Sequence, residues 1–504
     1  MSEQSKQRLS RRKFVALTGG ILVTSGILAA CGDNTATPAT SATTAASGTA
    51  TTAAAGATTA AATTAAPTAS AAPEVFGIKL KDLDSGGTLK GQYAGKKLVF
   101  VTADGDLTTA IKEVIPYFQK VSGATVEMQT FPGDSFMEKV QLDLQVGHHF
   151  DGMAMPIANL HGYAYANQIQ DLTPFTTGKI ASPNLDMADF VPALLETYGK
   201  YQGKLVALPY KPDVQLFFYR KDIFEDPKMQ AAFKAKNNTD LKVPTTMEEL
   251  KTVAAFFTKS LNPDSPTDYG FSSMGSKSNS RWNWTNRLGA YGAKDFDATT
   301  FQPAFNNDGG VKALQDVIDL KKYAPKEWLE LQWDNGNKLF SDGKVAMMEQ
   351  WPGLYIISQT DTSPVKGKVG VAVTPGGSPT LGGWGFAITS TTKEPELAYK
   401  FIEFLSGKDM QLLMVQHTID PTRTSNYNRP EVASSNPVYP VLFKSFAAGK
   451  ILADVDIPGL VTKLNDVEEL YVQSALKGDL TPKQALEKMA GDFVNEVKAA
   501  GLQK

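Results

Sequence analysis

Residues 35 to 73 of this 504-residue chain are drawn only from Ala, Thr, Ser, Gly and Pro, with no charge and no side chain larger than Thr. Such a run cannot bury enough apolar surface to offset the entropy of ordering it. Ala favours helix, but the interleaved Thr, Ser, Gly and Pro lower that preference. The run therefore divides the chain into a short N-terminal segment and a body from Glu74 to Lys504. As a flexible coil it averages about 35 Å end to end, and fully extended it reaches about 130 Å. The body exceeds the size at which one hydrophobic core keeps growing, so two lobes or domains are expected.

The N-terminal segment carries Lys6, Arg8, Arg11, Arg12 and Lys13 ahead of an apolar stretch, Phe14 to Ala30, diluted by Thr18, Gly19, Gly20, Ser25 and Gly26. A charged region, a short apolar region and small residues at its end predict a signal peptide over residues 1–30. The stretch is too short and too weakly apolar for a permanent span. Arg11-Arg12 with Phe14 resembles a twin-arginine export signal, and the general secretory route stays open. Leu28-Ala29-Ala30-Cys31 resembles the lipobox of bacterial lipoproteins, whose Cys is lipidated and becomes the first mature residue. Cys31 is the only cysteine, which excludes an intrachain disulfide framework and any Cys-based metal site. A small buried apolar Cys is the competing reading. Residues 31–73 are thus expected to be a lipidated Cys and a disordered tether on the outer face of a membrane, where two or more acyl chains anchor stably.

Removing the five basic residues and one acid of the signal leaves 45 basic against 51 acidic residues. No basic stripe interleaved with aromatics is present, so nucleic acid is not an expected partner. No second apolar run reaches the length of a membrane span.

Within the body, strands alternate with helices. Leu98–Val101 reads as a buried strand, and Ile111, Val114, Ile115, Phe118 and Val121 follow at helical spacing up to a capping Gly123. Thr125–Met128 and Phe150–Met155 read as further strands. Ser135-Phe-Met-Glu138 predicts a capping box opening a helix. Thr246-Met-Glu-Glu249 opens another, Pro395 starts a third, and Thr481-Pro482 a last one. This order predicts an α/β fold on mostly parallel sheets flanked by helices.

Motifs that carry catalysis are mostly absent. The four histidines, His148, His149, His161 and His417, lack zincin spacing. There is no phosphate loop, Gly382-Gly-Trp-Gly385 lacks the dinucleotide pattern, and no nucleophile elbow appears. His148-His149 beside Asp151 reads as an exposed turn rather than a metal site, because adjacent side chains diverge. No metal and no cofactor are expected. No feature selects a carboxylate pair for glycoside hydrolysis, though the acids are numerous.

Four stretches occur in an order that resembles one family. They are Ala207-Leu208-Pro209-Tyr210-Lys-Pro-Asp213-Val-Gln-Leu-Phe-Phe-Tyr219-Arg-Lys221-Asp222-Ile-Phe224, then Phe340-Ser-Asp-Gly343-Lys-Val-Ala346-Met347 with Trp351, then Gly382-Gly383-Trp384-Gly385-Phe-Ala-Ile388, then Ala398-Tyr-Lys-Phe401-Ile-Glu-Phe404-Leu405. Together, over about 96 to 499, they resemble the bacterial extracellular solute-binding proteins, the carbohydrate-binding family of ABC importers. The family commonly has Asn where Arg220 stands, and Pro where Phe150 precedes Asp151. The resemblance implies two lobes joined by hinge crossings, a first over 96–211 and 376–419 and a second over 213–373 and 421–504. It also implies a ligand held between them, docking of the closed form on a membrane permease, and a monomer. The tether would keep the body near that permease.

A sugar requires flat apolar rings and convergent hydrogen-bonding groups. Tyr210, Trp282, Trp284, Trp351 and Trp384 are the ring candidates, with Gly383 beside the last. Asp213 matches a family position that often carries a ligand-binding acid. Asp104 and Asp106 follow the first strand at its carboxyl end, where α/β ligands gather, or else cap the next helix. Arg423, near a crossing, is a further candidate for hydroxyls, and Arg281 reads as a surface charge. Asp213, Trp351 and Trp384 lead. A non-catalytic lipoprotein receptor for a mono- or oligosaccharide is the first reading. A lipid-anchored glycan hydrolase, or a receptor for a polyol phosphate that would depend on Arg423 or Arg281, are the alternatives.

Overall fold

Alternation sets the first layer. In β1 (Lys97–Ala103), Leu98 and Phe100 are buried on one side while Val101 and Ala103 are buried on the other, as a period of two dictates. A strand buried on both faces must lie inside a sheet covered by helices twice. The computed structural model describes residues 73–504 apart from 298–299, 447–456, 458 and 503–504, and leaves out the side chains of Asp106, Asp134, Val461 and Thr462. The expected signal peptide, Cys31 and all but the last residue of the tether lie outside the described residues.

The body, Glu74–Lys504, is one compact unit built on two sheets. The first joins β1 to β2 (Thr125–Phe131), β3 (Gly152–Pro156), β4 (Leu208–Val214) and, later in the chain, β9 (Leu381–Ile388), in the order β2-β1-β3-β9-β4. The second takes β5 (Leu216–Arg220), β6 (Tyr269–Ser272), β7 (Val345–Gln350) and β8 (Val369–Ala372), in the order β6-β7-β5-β8. The pairs β1–β2, β1–β3 and β6–β7 are parallel, whereas β9 is antiparallel to both its neighbours, as is β5. The two-lobed α/β architecture is the expected one, with sheets that are mixed rather than mostly parallel. The antiparallel strands β5 and β9 are those by which the chain enters from the other sheet, and entry from the shared edge forces them to run against the βα units.

Helices follow the sequence signals closely. α1 (Asp106–Ser122) ends on Gly123 in the left-handed region, φ 76°, where a side chain is disfavoured. α2 (Gly133–Leu142) is a correction: its N-cap is Pro132, and the Ser135 hydroxyl bonds back to Pro132 O from inside the first turn, so no capping box forms there. α3 (Ile157–Tyr165) follows β3 directly. α4 (Met247–Phe256) has the expected box between Thr246 and Glu249. α5 (Lys277–Leu288) and α6 (Asp308–Leu320) cover the second sheet region with α7 (Trp333–Ser341) and α8 (Leu354–Ser358). α9 (Pro395–Leu405) and α10 (Lys408–Gln416) return to the first lobe, where α10 meets α1. α11 (Val438–Phe446) touches both β4 and β8, behind the crossings. α12 (Val461–Lys477) and α13 (Pro482–Ala499), the latter with its box between Thr481 and Gln484, pack with α5 and α6.

One core is continuous from the first lobe, through Leu442 and Phe446 of α11, to Leu216, Phe218, Met348 and Val369 on one face of the second sheet. The opposite face of that sheet packs Phe217, Phe271 and Met347 against Leu250 and Phe257. Among the described residues no helix is long and apolar enough to cross a membrane.

Candidate ligand cleft

Strand directions place the site. The carboxyl ends of β1, β2, β3 and β4 and the amino end of antiparallel β9 fall on one edge of the first sheet: Ala103, Phe131, Pro156, Val214 and Leu381. By the same reasoning the ends of β6, β7 and β8 and the start of β5 form one edge of the second sheet: Ser272, Gln350, Ala372 and Leu216. The two edges belong together, because Gln215 alone separates β4 from β5, and β8 leads to β9 through residues 373–380. α3 of the first lobe and α12 of the second also come into contact.

At this seam Trp351, immediately after β7, lies over the backbone of Gly382 at the start of β9: a Cβ there would stand 2.9 Å from the indole. Trp282 of α5 meets Trp351 edge to face, 5.5 Å between centroids, within the range favourable for aromatic pairs. The Arg281 guanidinium carbon sits 4.2 Å from the Trp282 ring centre. On the first-lobe edge Trp384 packs on Phe136 at 5.9 Å. Trp282, Trp351, Trp384 and Asp213 are all half-buried, the exposure a stacking platform needs. Asp213 is paired in register with Gly382.

The tips of β4 and β9 are locked by a residue the sequence did not single out. Tyr198, fully buried, donates its hydroxyl to Gly382 O and accepts the Asp213 N–H at 3.2 Å. Burial pushes its phenol well above the usual value, so it stays a donor. Gly383 is needed for its backbone: φ is 113°, and a Cβ would meet Lys211 O at 2.5 Å and Asp213 N at 2.8 Å. A bulge between Trp384 and Gly385 follows. Trp333, at the start of α7, was also missed; 36% exposed, it lies against Gly353, two residues beyond Trp351. Its signal was present in the same segment as Phe340 and Trp351, but nothing local marks it as edge-facing.

The remaining predicted residues divide. Asp104 is exposed just past β1, its N–H bonded to Phe131 O at 2.9 Å; Asp106 begins α1, and its side chain lies outside the described ones. The N-cap of α1 is Gly105, so Asp104 does not occupy that position. Three residues are corrected. Tyr210 is fully buried, stacked on Phe386 at 4.2 Å with its hydroxyl bonded to Leu107 O at 2.8 Å. Trp284 is fully buried in the second lobe, against Phe305 and with Nε1 donating to Gly310 O. Arg423 is fully buried: Nε and Nη2 donate to Ser406 O at 3.0 and 2.7 Å, Nη1 donates to Asp186 O at 2.8 Å, and the group stacks on Phe190. Burial lowers its pKa to about 10, opposed by Asp189 and Asp186. Arg281 is likewise not a surface charge but buried beside Asn465 and Glu468.

His148 and His149 are exposed in the turn before β3, with His149 Nδ1 2.9 Å from Asp143. Among the described residues no group of three His, Cys, Asp or Glu side chains is placed to hold a metal ion. A separate cavity of about 230 Å³ lies between α7 and residues 357–363, lined by Asp334, Asn337, Ser341 and Thr360. It does not touch the seam.

Two mixed α/β lobes that share an edge lined with indole rings define a two-lobed binding protein, a class in which ligands lie between domains. Residues 113–440 match the family model of the bacterial extracellular solute-binding proteins, and the chain belongs to that family. It is 24% identical over 432 residues to a probable amino-acid ABC transporter periplasmic-binding protein of Sinorhizobium fredii, covering 84% of this chain and 94% of the relative. A mannitol-binding protein of Pseudomonas aeruginosa is 25% identical over 338 residues, 60% of this chain and 72% of that one. Among solved structures, an ABC transporter solute-binding protein of Agrobacterium radiobacter in complex with ribitol superposes with a TM-score of 0.67, at 25% identity, over 80% of this chain and 99% of that chain. Maltose-bound MalE3 of T. maritima gives 0.68 at 23% identity, over 80% and 100%.

Proposed function

We propose that this protein is the lipid-anchored, non-catalytic receptor of an ABC importer, taking a neutral sugar or polyol into the seam between its lobes and presenting it to a membrane permease. The observation that carries the reading is the Trp282–Trp351 pair seated on Gly382, with Asp213 alongside. Flat indole faces suit the apolar face of a sugar, and a carboxylate accepts from two hydroxyls. Arg423 and Arg281, the arginines a phosphorylated ligand would need, are both buried in bonds to the protein itself. Mannitol and ribitol, named for two of the relatives, belong to the same chemical class, whereas another relative is named for amino acids.

In this reading the lobes take 96–211 with 376–419, and 213–373 with 421–504, and the protein acts as a monomer. Cys31 bears the acyl chains and residues 35–73 act as the spacer. Cys31→Ser is expected to release the protein from the membrane fraction, read by fractionation and by mass of the mature N-terminus.

The test of binding is a thermal-shift screen of the Cys31→Ser protein against monosaccharides, oligosaccharides, polyols and sugar phosphates. A ligand that binds only the folded form raises stability as ln(1 + [L]/Kd). One sugar or polyol class is expected to shift melting, with the ligand recovered unchanged. A flat panel, or turnover of the ligand, overturns the reading.

A further inference from the structure

Two of the crossings between the lobes run side by side through the seam. Gln215 is the single residue between β4 and β5, and Thr380 immediately precedes β9. Both are buried, and Gln215 N–H donates to Thr380 O at 3.2 Å. One side chain grips both. Asn286 of α5, itself buried, donates from Nδ2 to the side-chain carbonyl of Gln215 and accepts the Thr380 N–H on Oδ1 at 2.8 Å. Beside it the Thr285 and Thr380 hydroxyls are bonded at 2.9 Å. A carboxamide offers a donor and an acceptor at fixed separation, so a single Asn joins both crossings to the same helix.

That helix also carries Trp282. Positions 282 and 286 are one turn apart on one face, and Trp282 meets Trp351 over Gly382. We propose that Asn286 is a positioning residue of the cleft: it fixes both crossing segments to the Trp282 helix. Bending between the lobes then falls on the first-lobe side of Gln215 and Thr380, and the Trp282–Trp351 pair stays in place as the lobes move. A buried donor or acceptor left unpaired costs free energy, so the tie resists any motion that separates the crossings from α5. The inference rests on the seam being the ligand site, but its mechanical half is measurable without a ligand.

The experiment places spin labels on Lys112→Cys in α1 and Lys236→Cys in the helix Pro227–Asn237, both exposed, in the full chain with Cys31→Ser. Interlobe distances are recorded by pulsed double resonance, and affinities for maltose, ribitol and mannitol by calorimetry. Asn286→Ala is expected to broaden the ligand-free distance distribution and to weaken binding of the responding sugar about fivefold, the lower end of typical intersite coupling. Gln215→Met, which releases the first crossing only, is expected to do the same to a lesser degree, and it decides the matter if Asn286→Ala does not fold. Thr285→Val, which removes the hydroxyl bond to Thr380 but spares both Asn286 bonds, is expected to broaden the distribution less than Asn286→Ala does. A parental distribution in a folded Asn286→Ala or Gln215→Met protein overturns the proposal, as does equal broadening by Thr285→Val. If maltose, ribitol and mannitol all fail to bind and the wider panel is flat, the functional reading fails while the distance widths still decide the role of Asn286.

Discussion

Trp351 and Gly382 meet across the seam between the two sheets: a methyl group at position 382 would stand 2.9 Å from Cη2 and 3.1 Å from Cζ3 of the indole. Gly382 is held in β9 whereas the near atoms belong to the far end of the Trp351 side chain, just past β7, so the ring yields before the strand. Gly382→Ala is therefore expected to tilt Trp351 off its seat and to weaken ligand binding by about fivefold to tenfold, the value of one aromatic contact, with melting nearly unchanged. Gly383→Ala acts differently. Its φ of 113° and its contact with Lys211 O at 2.5 Å oppose any side chain, so a loss of about 2–3 kcal/mol in stability is expected. Calorimetric titration and denaturant unfolding of the two variants separate these outcomes.

Trp282 and Trp284 give the sharpest contrast on one helix. Two residues apart they point about 200° around α5, one to the seam and one into the core against Phe305. Trp284→Ala is expected to cost about 3–5 kcal/mol of stability with little change in affinity per folded molecule. Trp351→Ala and Trp282→Ala are expected to lower affinity with little loss of stability. Equal loss of affinity in all three would contradict this division.

Arg423 holds three carbonyl contacts from the end of a long excursion of the chain: Asp186 lies 237 residues away and Ser406 is 17 away. Removing one partner of a buried charged network costs about 3–5 kcal/mol. Arg423→Ala is expected to lose that much, and Arg423→Lys a substantial part, because an ammonium cannot reproduce the planar fork. Urea unfolding measures the loss. Retained stability together with lost binding would return Arg423 to the ligand.

Much of the fold was legible because its signals are local. Gly123, the box at Thr246, the helix starts at Pro395 and Thr481-Pro482, and the apolar runs of β1 and β2 each follow from a few neighbouring residues. The capping box at Ser135 failed because Pro132 had already begun the helix. Strand direction in β5 and β9 was not legible, since it depends on where the crossings enter. The candidates Asp213, Gly383, Trp351 and Trp384 came from motif resemblance; Trp351 lies against Gly382, which pairs with Asp213, and Trp384 packs on Phe136. Local sequence did not separate Trp284 from Trp282, nor Tyr210 from a platform, because an indole or phenol is equally at home in core and cleft. Tyr198 was invisible, and the role of Arg423 was misassigned, because the partners are remote in sequence: Gly382 is 184 residues from Tyr198.

Asp316 of α6 is fully buried beneath Lys251 of α4, with Lys312 at 3.2 Å and the Tyr291 hydroxyl also bonded to it. Burial alone would raise its pKa, but the bonds from Lys251, Tyr291 and Lys312 outweigh burial and hold it below 3.8. Asp319, also on Lys251 at 3.0 Å, is lowered by the same balance. A carboxylate whose folded pKa lies below its unfolded value stabilises the fold above that unfolded value. As pH falls the unfolded chain binds the proton first, so the contribution is lost below about 4 and is gone once the folded pKa is passed. Asp316→Asn keeps the volume and removes the charge. It is expected to cost about 3 kcal/mol at pH 7 and to flatten the decline in stability below about pH 4, so that variant and parent converge in acid. Urea unfolding across that range is the measurement. A parallel decline in both proteins would mean that other carboxylates carry the acid sensitivity and that the Lys251–Asp316 tie adds only packing.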